Sequence, residues 1–202
     1  MFKKFVIILI AVIFLAAAAQ LSAQAVLMNS AETINQGNLK LAIFPTVLFD
    51  KNGGDSVWGV AGRFGYGLTP SIDIEAKAAY FKGLNYYGAD IEWWFLRGHN
   101  FNGSVALGGH ITNYDGGGDS NGIDTSILFS HKPVRNLEIY GGLMVAFESV
   151  KNTDVSFTLM HFVPGLEYRL GDDLDFLAEV GIALNSDSRS YASVGLALYL
   201  LR

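Results

Sequence analysis

The 202-residue chain contains no cysteine, and its basic residues are few. Without cysteine it can form neither disulfide bonds nor a thiolate metal site. The 14 Lys and Arg residues are outnumbered by 19 Asp and Glu, which gives a formal net charge of −5. Because nucleic-acid binding requires a basic patch, this acidic balance argues against a nucleic-acid partner.

Long hydrophobic runs are also missing after residue 25. No later apolar run approaches the roughly 20 residues that a membrane-spanning helix needs. Yet 50% of all residues are hydrophobic and 13% are aromatic. Apolar content of this size must either be buried in short strands or face lipid.

The first 25 residues have the layout of a secretory signal peptide. A basic start with two lysines precedes a continuous apolar run over residues 5–19, and Ala23 to Ala25 form a small-x-small cleavage site. The run is shorter than the roughly 20 residues of a membrane anchor helix. We therefore expect residues 1–25 to be removed on export, which leaves a single domain over residues 26–202.

The remaining chain consists of strand-like segments separated by clusters of Gly, Pro, Asn, Asp and Ser, which are typical of hairpin turns. Within the segments, apolar and polar residues alternate with a period of two. The segments lie near residues 38–49, 57–68, 72–82, 86–97, 102–114, 123–132, 137–150, 156–169, 174–185 and 191–201. The pattern predicts an all-β protein of ten antiparallel strands, or of eight if two segments merge or stay outside the sheet.

Alternation gives each strand one apolar and one polar face, and two kinds of barrel could use such strands. In the third segment Ile72, Ile74 and Tyr80 share one face, while Asp73 and Glu75 share the other. A soluble sandwich or lipocalin-like barrel would turn the apolar face inward. A transmembrane barrel would turn the apolar face to lipid and enclose the charges.

The placement of aromatic residues favours the transmembrane barrel. Trp58 and Tyr66 lie eight residues apart on one face of a strand, and Tyr87 and Phe95 repeat this spacing, with Trp93 on the same face as the second pair. Eight residues of a strand tilted by about 45° project to roughly 19 Å, which nearly spans a lipid-facing band of about 25 Å. We expect these five aromatics near the two membrane interfaces, whereas a soluble barrel would place Trp58, Trp93 and Phe95 inside.

The opposite faces carry small residues mixed with charges, as expected for a narrow, crowded lumen. The polar residues predicted to line it are Lys40, Arg63, Glu75, Lys77, Asp90, Glu92, His110, Glu138 and Glu179. They could form a packed ion-pair network, with the three basic residues as counterions of Glu75, Glu92 and Glu179. Alternatively, the surplus carboxylates could line a cation-favouring path.

The last strand resembles the C-terminal strand signature of bacterial outer-membrane β-barrel proteins. Gly195 is followed by Leu196, Leu198 and Leu200 in alternation, although the family usually ends on an outward aromatic where Leu200 stands here. The resemblance implies an up-and-down barrel in the outer membrane of a Gram-negative bacterium. Its partners would be the lipid bilayer and the barrel-assembly machinery that reads this strand. An even number of strands would leave both termini on the periplasmic side.

Catalytic and metal-binding patterns are weak in this sequence. Ser130 and His131 are sequence neighbours on a strand, so their side chains point to opposite faces and form no dyad. The glycine-rich cluster at residues 115–122 predicts a hairpin tip, because its acids do not match the spacing of a calcium loop. An enzyme would instead bring His110 or His161 within reach of a carboxylate or hydroxyl.

The sequence therefore predicts a membrane protein with a structural role or a narrow passive pore, without catalysis, metal or cofactor. The alternative is a binder or transporter of a small hydrophobic or cationic solute. An enzyme at the outer rim of the barrel is a third hypothesis. A solute binder would show a continuous apolar cavity in the lumen.

Overall fold

The computed structural model describes residues 31–50, 55–115 and 118–200, so the predicted signal peptide lies outside the described residues. The strands are β1 (Leu39–Leu48), β2 (Val57–Thr69), β3 (Ile72–Phe81), β4 (Leu84–Arg97), β5 (Phe101–Tyr114), β6 (Ser120–Val134), β7 (Leu137–Val150), β8 (Ser156–Arg169), β9 (Leu174–Ala183) and β10 (Tyr191–Leu200). Across these ranges no helix is long and apolar enough to cross a membrane.

The ten strands form one closed antiparallel barrel. Each strand pairs with its neighbours in the sequence, and β10 pairs with β1 to close the sheet. The prediction of a ten-stranded up-and-down barrel is confirmed, and the eight-stranded alternative is wrong because all ten segments join the sheet. Closure pairs the edges that a flat sheet of this length would leave open.

The barrel has two distinct ends. Leu39 lies opposite Leu200 in the ladder that closes the sheet, so both chain termini leave from one end, which we call the termini end. The other end, the loop end, carries the hairpins that follow β1, β3, β5, β7 and β9. The β3–β4 hairpin has only two turn residues, and Gly83 takes the positive φ of 86° that this tight turn requires.

The loop between β5 and β6 is shorter than the glycine-rich cluster at residues 115–122 predicts. Strand β6 begins at Ser120, three residues before the predicted start, and Gly122 lies opposite His110 in the β5–β6 ladder. A Cβ on Gly122 would lie 2.4 Å from the carbonyl oxygen of Phe147. This glycine therefore allows a close approach within the sheet, and it does not mark a turn.

The outer surface of the barrel is apolar along the full length of the strands. The side chain of Trp58 is 67% exposed, and leucine, isoleucine and phenylalanine side chains point outward from every strand. Charged side chains such as Lys40, Arg63, Glu75 and Glu148 are buried inside the barrel instead. This arrangement is the inverse of a soluble barrel, and a soluble monomer rarely exposes contiguous apolar surface beyond a few hundred Å².

Candidate functional site

The lumen of the barrel is filled partly by aromatic rings that pack over glycines. Buried Phe44 and Tyr191 lie against Gly195 and Gly181, where an added Cβ would fall 2.0 and 1.8 Å from the rings. Tyr140 covers Gly165 in the same way, at 2.2 Å. These rings form one apolar cluster with Leu128, Met144, Val163 and Leu177. Gly195, assigned from the sequence to the terminal strand signature, thus also makes room for Phe44.

A network of charges occupies the lumen side of β1 to β4. The Nζ of Lys40 lies 3.1 Å from Glu75 Oε1, and the guanidinium of Arg63 lies 2.5 Å from Glu75 Oε2 and 3.7 Å from Asp90. Lys77 also pairs with Asp90. All five side chains are at most 7% exposed, so these ion pairs are removed from water. Charges buried to this extent are retained only when they are paired.

The acids Glu92 and Glu179 interact electrostatically with Arg63, and each has further neighbours in the lumen. Glu179 accepts hydrogen bonds from the hydroxyls of Tyr140 at 3.0 Å and Tyr191 at 2.5 Å. Glu92 is buried and lies directly opposite Asp73 in the β3–β4 ladder. Tyrosine hydroxyls donate hydrogen bonds that a carboxylate can accept. The sequence does not indicate these contacts, because the tyrosines meet Glu179 only across strands.

His110 lies at the centre of a second polar cluster, formed by β4 to β7. Its Nδ1 is 2.9 Å from Asp124 and its Nε2 is 3.3 Å from Glu148, while its ring stacks on Tyr86 with centroids 5.1 Å apart. The Tyr86 hydroxyl donates to Asp124 at 2.9 Å, and the Ser120 hydroxyl donates to Glu148 at 2.5 Å. The sequence does not predict the contacts of these two acids with His110, because only the register of the β5–β6 and β6–β7 ladders forms them.

This cluster does not have the geometry of a catalytic triad. A triad needs an acid on one ring nitrogen of the histidine and a nucleophile on the other. In His110 carboxylates face both nitrogens, and the hydroxyl of Ser120 donates to Glu148 instead. His161 is also buried, and its Nε2 donates to the carbonyl oxygen of Arg189 at 2.9 Å. Both histidines therefore tie elements of the barrel together.

The termini end is crossed by the segment of chain that precedes β1, for which the sequence predicts no strand. We call residues 31–37, from Ala31 to Gly37, the N-terminal strap. Ala31 is completely buried within the apolar cluster of the lumen. The carboxylate of Glu32 lies 2.5 Å from Lys132, which in turn lies 3.6 Å from buried Glu138. Glu138, predicted to line the lumen, thus lies beneath the strap.

A vestibule with a volume of about 440 Å³ opens at the loop end. Its walls are mostly apolar side chains, with two basic groups and one acid among them. The lining residues are Leu48, Val57, Phe81, Lys82, Gly83, Leu84, Tyr114, Phe157, Ser186, Asp187 and Arg189. Loop residues 184–190 support this wall, because Ser188 and Asp187 accept hydrogen bonds from the backbone of β8. Ligand pockets commonly have this size and this mixture of groups.

Below the vestibule the lumen is packed. A cavity between Lys77, Asp90 and Asp124 has a volume of about 10 Å³, which is about the room that one water molecule needs. Buried charged residues occur from Asp73 and Asp175 near the termini end to Glu148 near the loop end. A water-filled channel would leave such side chains wet. The charges of the lumen therefore belong to a protein interior.

The predicted interface aromatics and the leucines of the terminal strand lie on the outside of the barrel. The five predicted interface aromatics are all exposed there, namely Trp58, Tyr66, Tyr87, Trp93 and Phe95. Leu196, Leu198 and Leu200 also face outward on β10. Within residues 31–50, 55–115 and 118–200, no three His, Asp or Glu side chains are placed to hold a metal ion.

Comparison with known proteins identifies the fold and not a family. No protein-family model matches the chain, and no curated protein matches it. The chain is similar to the crystal structure of the COG4313 outer membrane channel from Pseudomonas putida F1, with 9% sequence identity and a TM-score of 0.55. The aligned region covers 87% of this chain and 100% of the channel. The KdgM porin is 10% identical, with a TM-score of 0.45, over 79% of this chain and 98% of its own. At such identities the likeness to the channel supports the barrel fold alone.

Proposed function

We propose that the chain is an outer-membrane β-barrel protein with a structural role, whose lumen is closed in this conformation. The observation that carries the proposal is the inversion of the barrel, with apolar side chains outside and paired charges inside. Such a surface requires lipid as its solvent, and a closed barrel satisfies its backbone polar groups there. In the same proposal residues 1–25 direct export, and the strand from Gly195 to Leu200 is read by the barrel-assembly machinery.

The packed lumen favours the structural role over a narrow passive pore. Conduction needs a hydrated path, and the wider channels of membrane barrels come with more strands than ten. Here Glu75 and Glu92 are 2% and 1% exposed. The cation-favouring path would need both carboxylates to face water. The proposal includes no enzyme activity, because carboxylates face both nitrogens of His110.

Neighbouring tryptophans offer a direct test of the membrane orientation. Trp93 is 54% exposed on the outer surface, whereas the next residue, Trp94, is half-buried and its ring is covered by Arg97 at 4.0 Å. Single-tryptophan variants, with phenylalanine at the other two positions, would be refolded into vesicles containing brominated lipids. We expect strong quenching of Trp58 and Trp93 and weak quenching of Trp94. Absence of quenching at all three would contradict a membrane-embedded barrel.

The vestibule supports a second candidate function, the binding of a small hydrophobic solute. Its apolar walls, including Phe81, Leu84 and Phe157, favour a hydrophobic over a cationic molecule. Binding would be measured by the fluorescence of phenylnaphthylamine with the refolded protein. Val57→Phe would partly fill the vestibule and is expected to lower probe binding, whereas the outward-facing Val194→Phe is a size-matched control. Equal binding by the two variants would argue against a site in the vestibule.

A further inference from the structure

The N-terminal strap spans the mouth of the barrel at the termini end. At one side its last residue, Gly37, donates a backbone hydrogen bond to Gly67 of β2 at 2.9 Å. Toward the other side Glu32 accepts a hydrogen bond from Asn102 of β5 at 2.8 Å and pairs with Lys132 of β6. The strap therefore runs from β2 to β5 and β6 across the opening.

Two glycines of β2 make the room for the strap. A Cβ on Gly65 would lie 2.3 Å from Cδ1 of Ile34, and a Cβ on Gly67 would lie 2.2 Å from the carbonyl oxygen of Asn35. Any larger residue at these two positions would collide with the strap. The inward face of β2 is thus shaped to receive this segment, which a barrel with an open mouth would not need.

The strap is held by the buried side chains of Ala31, Thr33 and Ile34 and by polar contacts at its two ends. The backbone N–H of Ile34 donates to the buried carboxylate of Asp73 at 2.7 Å. The Glu32–Lys132 pair is about a quarter exposed, so its contribution is small. The regular ladder begins only with β1, and the strap meets β2 through an isolated bridge between Gln36 and Gly67. Ordering seven residues costs conformational entropy at each one, which offsets part of these contacts. A segment outside the regular ladder also opens more easily than the strands of the barrel.

Carboxylates lie beneath the strap. Asp73 and Glu92 face each other across the β3–β4 ladder, and Glu138 faces Glu167 across the β7–β8 ladder. Carboxyl groups that face each other away from water are costly to bury. Water entering the mouth would solvate these carboxyl groups, which offsets part of the free energy lost when the strap leaves.

We propose that the N-terminal strap is a releasable closure of the termini end, and that its release admits water to the carboxylates around Asp73. The closed conformation is held by Asp73, by Glu32 and by the space above Gly65 and Gly67. This regulation of access goes beyond the structural role proposed above. It does not depend on whether the middle of the lumen conducts.

The absence of cysteine from the chain allows a direct test. Thr33 is 7% exposed and close in size to cysteine, so Thr33→Cys reports on release, whereas Asn35 of the same strap is exposed and Asn35→Cys is the matched control. The refolded barrel, without residues 1–25, would be reacted with a charged, water-soluble maleimide. We expect Thr33→Cys to react more slowly than Asn35→Cys.

Variants that loosen the strap should raise the maleimide reaction rate of Thr33→Cys only. Adding Asp73→Asn and Glu32→Gln removes two charged acceptors, and loss of one or two kcal/mol raises the open population about 5- to 30-fold. The Thr33→Cys rate should rise by this factor, while the Asn35→Cys rate stays unchanged. Gly67→Ala, which pushes against the strap without removing charge, should have the same effect and replaces the double variant if that variant does not refold.

Two results would overturn the proposal. Equal rates of Thr33→Cys and Asn35→Cys in the otherwise unaltered chain would mean that the strap does not close the mouth. A slow Thr33→Cys rate that neither Asp73→Asn with Glu32→Gln nor Gly67→Ala raises would mean that the strap is a fixed part of the barrel. In both cases a heat-modifiable band in gel electrophoresis would verify that the barrel is folded.

Discussion

Replacing Glu75 by glutamine tests whether the charges of the lumen are removed from water. The carboxylate of Glu75 lies 3.1 Å from Lys40 and 2.5 Å from Arg63, so the substitution leaves two buried cations without this acid. Removing one partner of a buried ion pair costs about 3–5 kcal/mol. Arg63 retains Asp90 at 3.7 Å, so we expect the lower part of that range, about 3 kcal/mol.

The free energy of unfolding would be measured by urea titration of the barrel refolded in lipid vesicles. Asp154→Asn is the matched control, because Asp154 is an exposed acid in the β7–β8 turn and surface substitutions usually change stability by less than about 0.5 kcal/mol. A Glu75→Gln variant as stable as this control would refute the reasoning. It would mean that water reaches Glu75 and that the lumen is hydrated.

Three further substitutions probe the packing, the polar cluster and the outer surface by the same unfolding assay. Gly195→Val would place a Cβ 2.0 Å from the ring of Phe44, and overpacking of this kind should cost about 1–3 kcal/mol or prevent refolding; unchanged stability would contradict the packed lumen. His110→Ala leaves Asp124 and Glu148 without the group between them, and we expect a loss of about 3–5 kcal/mol, where a loss below 1 kcal/mol would mean that the cluster is solvated. Leu196→Lys puts a charge on the outer face of β10 and should cost about 2–4 kcal/mol in lipid, whereas a neutral effect would argue against lipid contact.

The fold was predictable from the sequence because each strand carries its own signal. Alternation in segments such as β3 and β7 depends only on neighbours along the chain, and hairpin turns follow from Gly, Asn and Asp clusters. The start of β6 was the exception. Gly122 has the composition of a turn, yet it is required in the strand for the close approach of Phe147.

The interior was less predictable because it depends on register around the whole barrel. Alternation places Glu179 and His110 on the inward face. Only the pairing of the strands around the barrel brings Tyr191 to Glu179 and Asp124 to His110. The N-terminal strap was missed for a different reason. Its residues have no strand periodicity, and the space that receives it is visible only as two glycines, Gly65 and Gly67, among other small inward residues.

The most direct test of the closed lumen is electrical recording on the refolded chain, without residues 1–25, in a planar lipid bilayer. Insertion would be verified in parallel by brominated-lipid quenching of Trp58 and Trp93. The account predicts insertion without steady conductance, because charged side chains such as Glu75 and Glu92 are packed away from water. Steady cation-selective current steps from the inserted barrel would contradict it and would favour the passive pore.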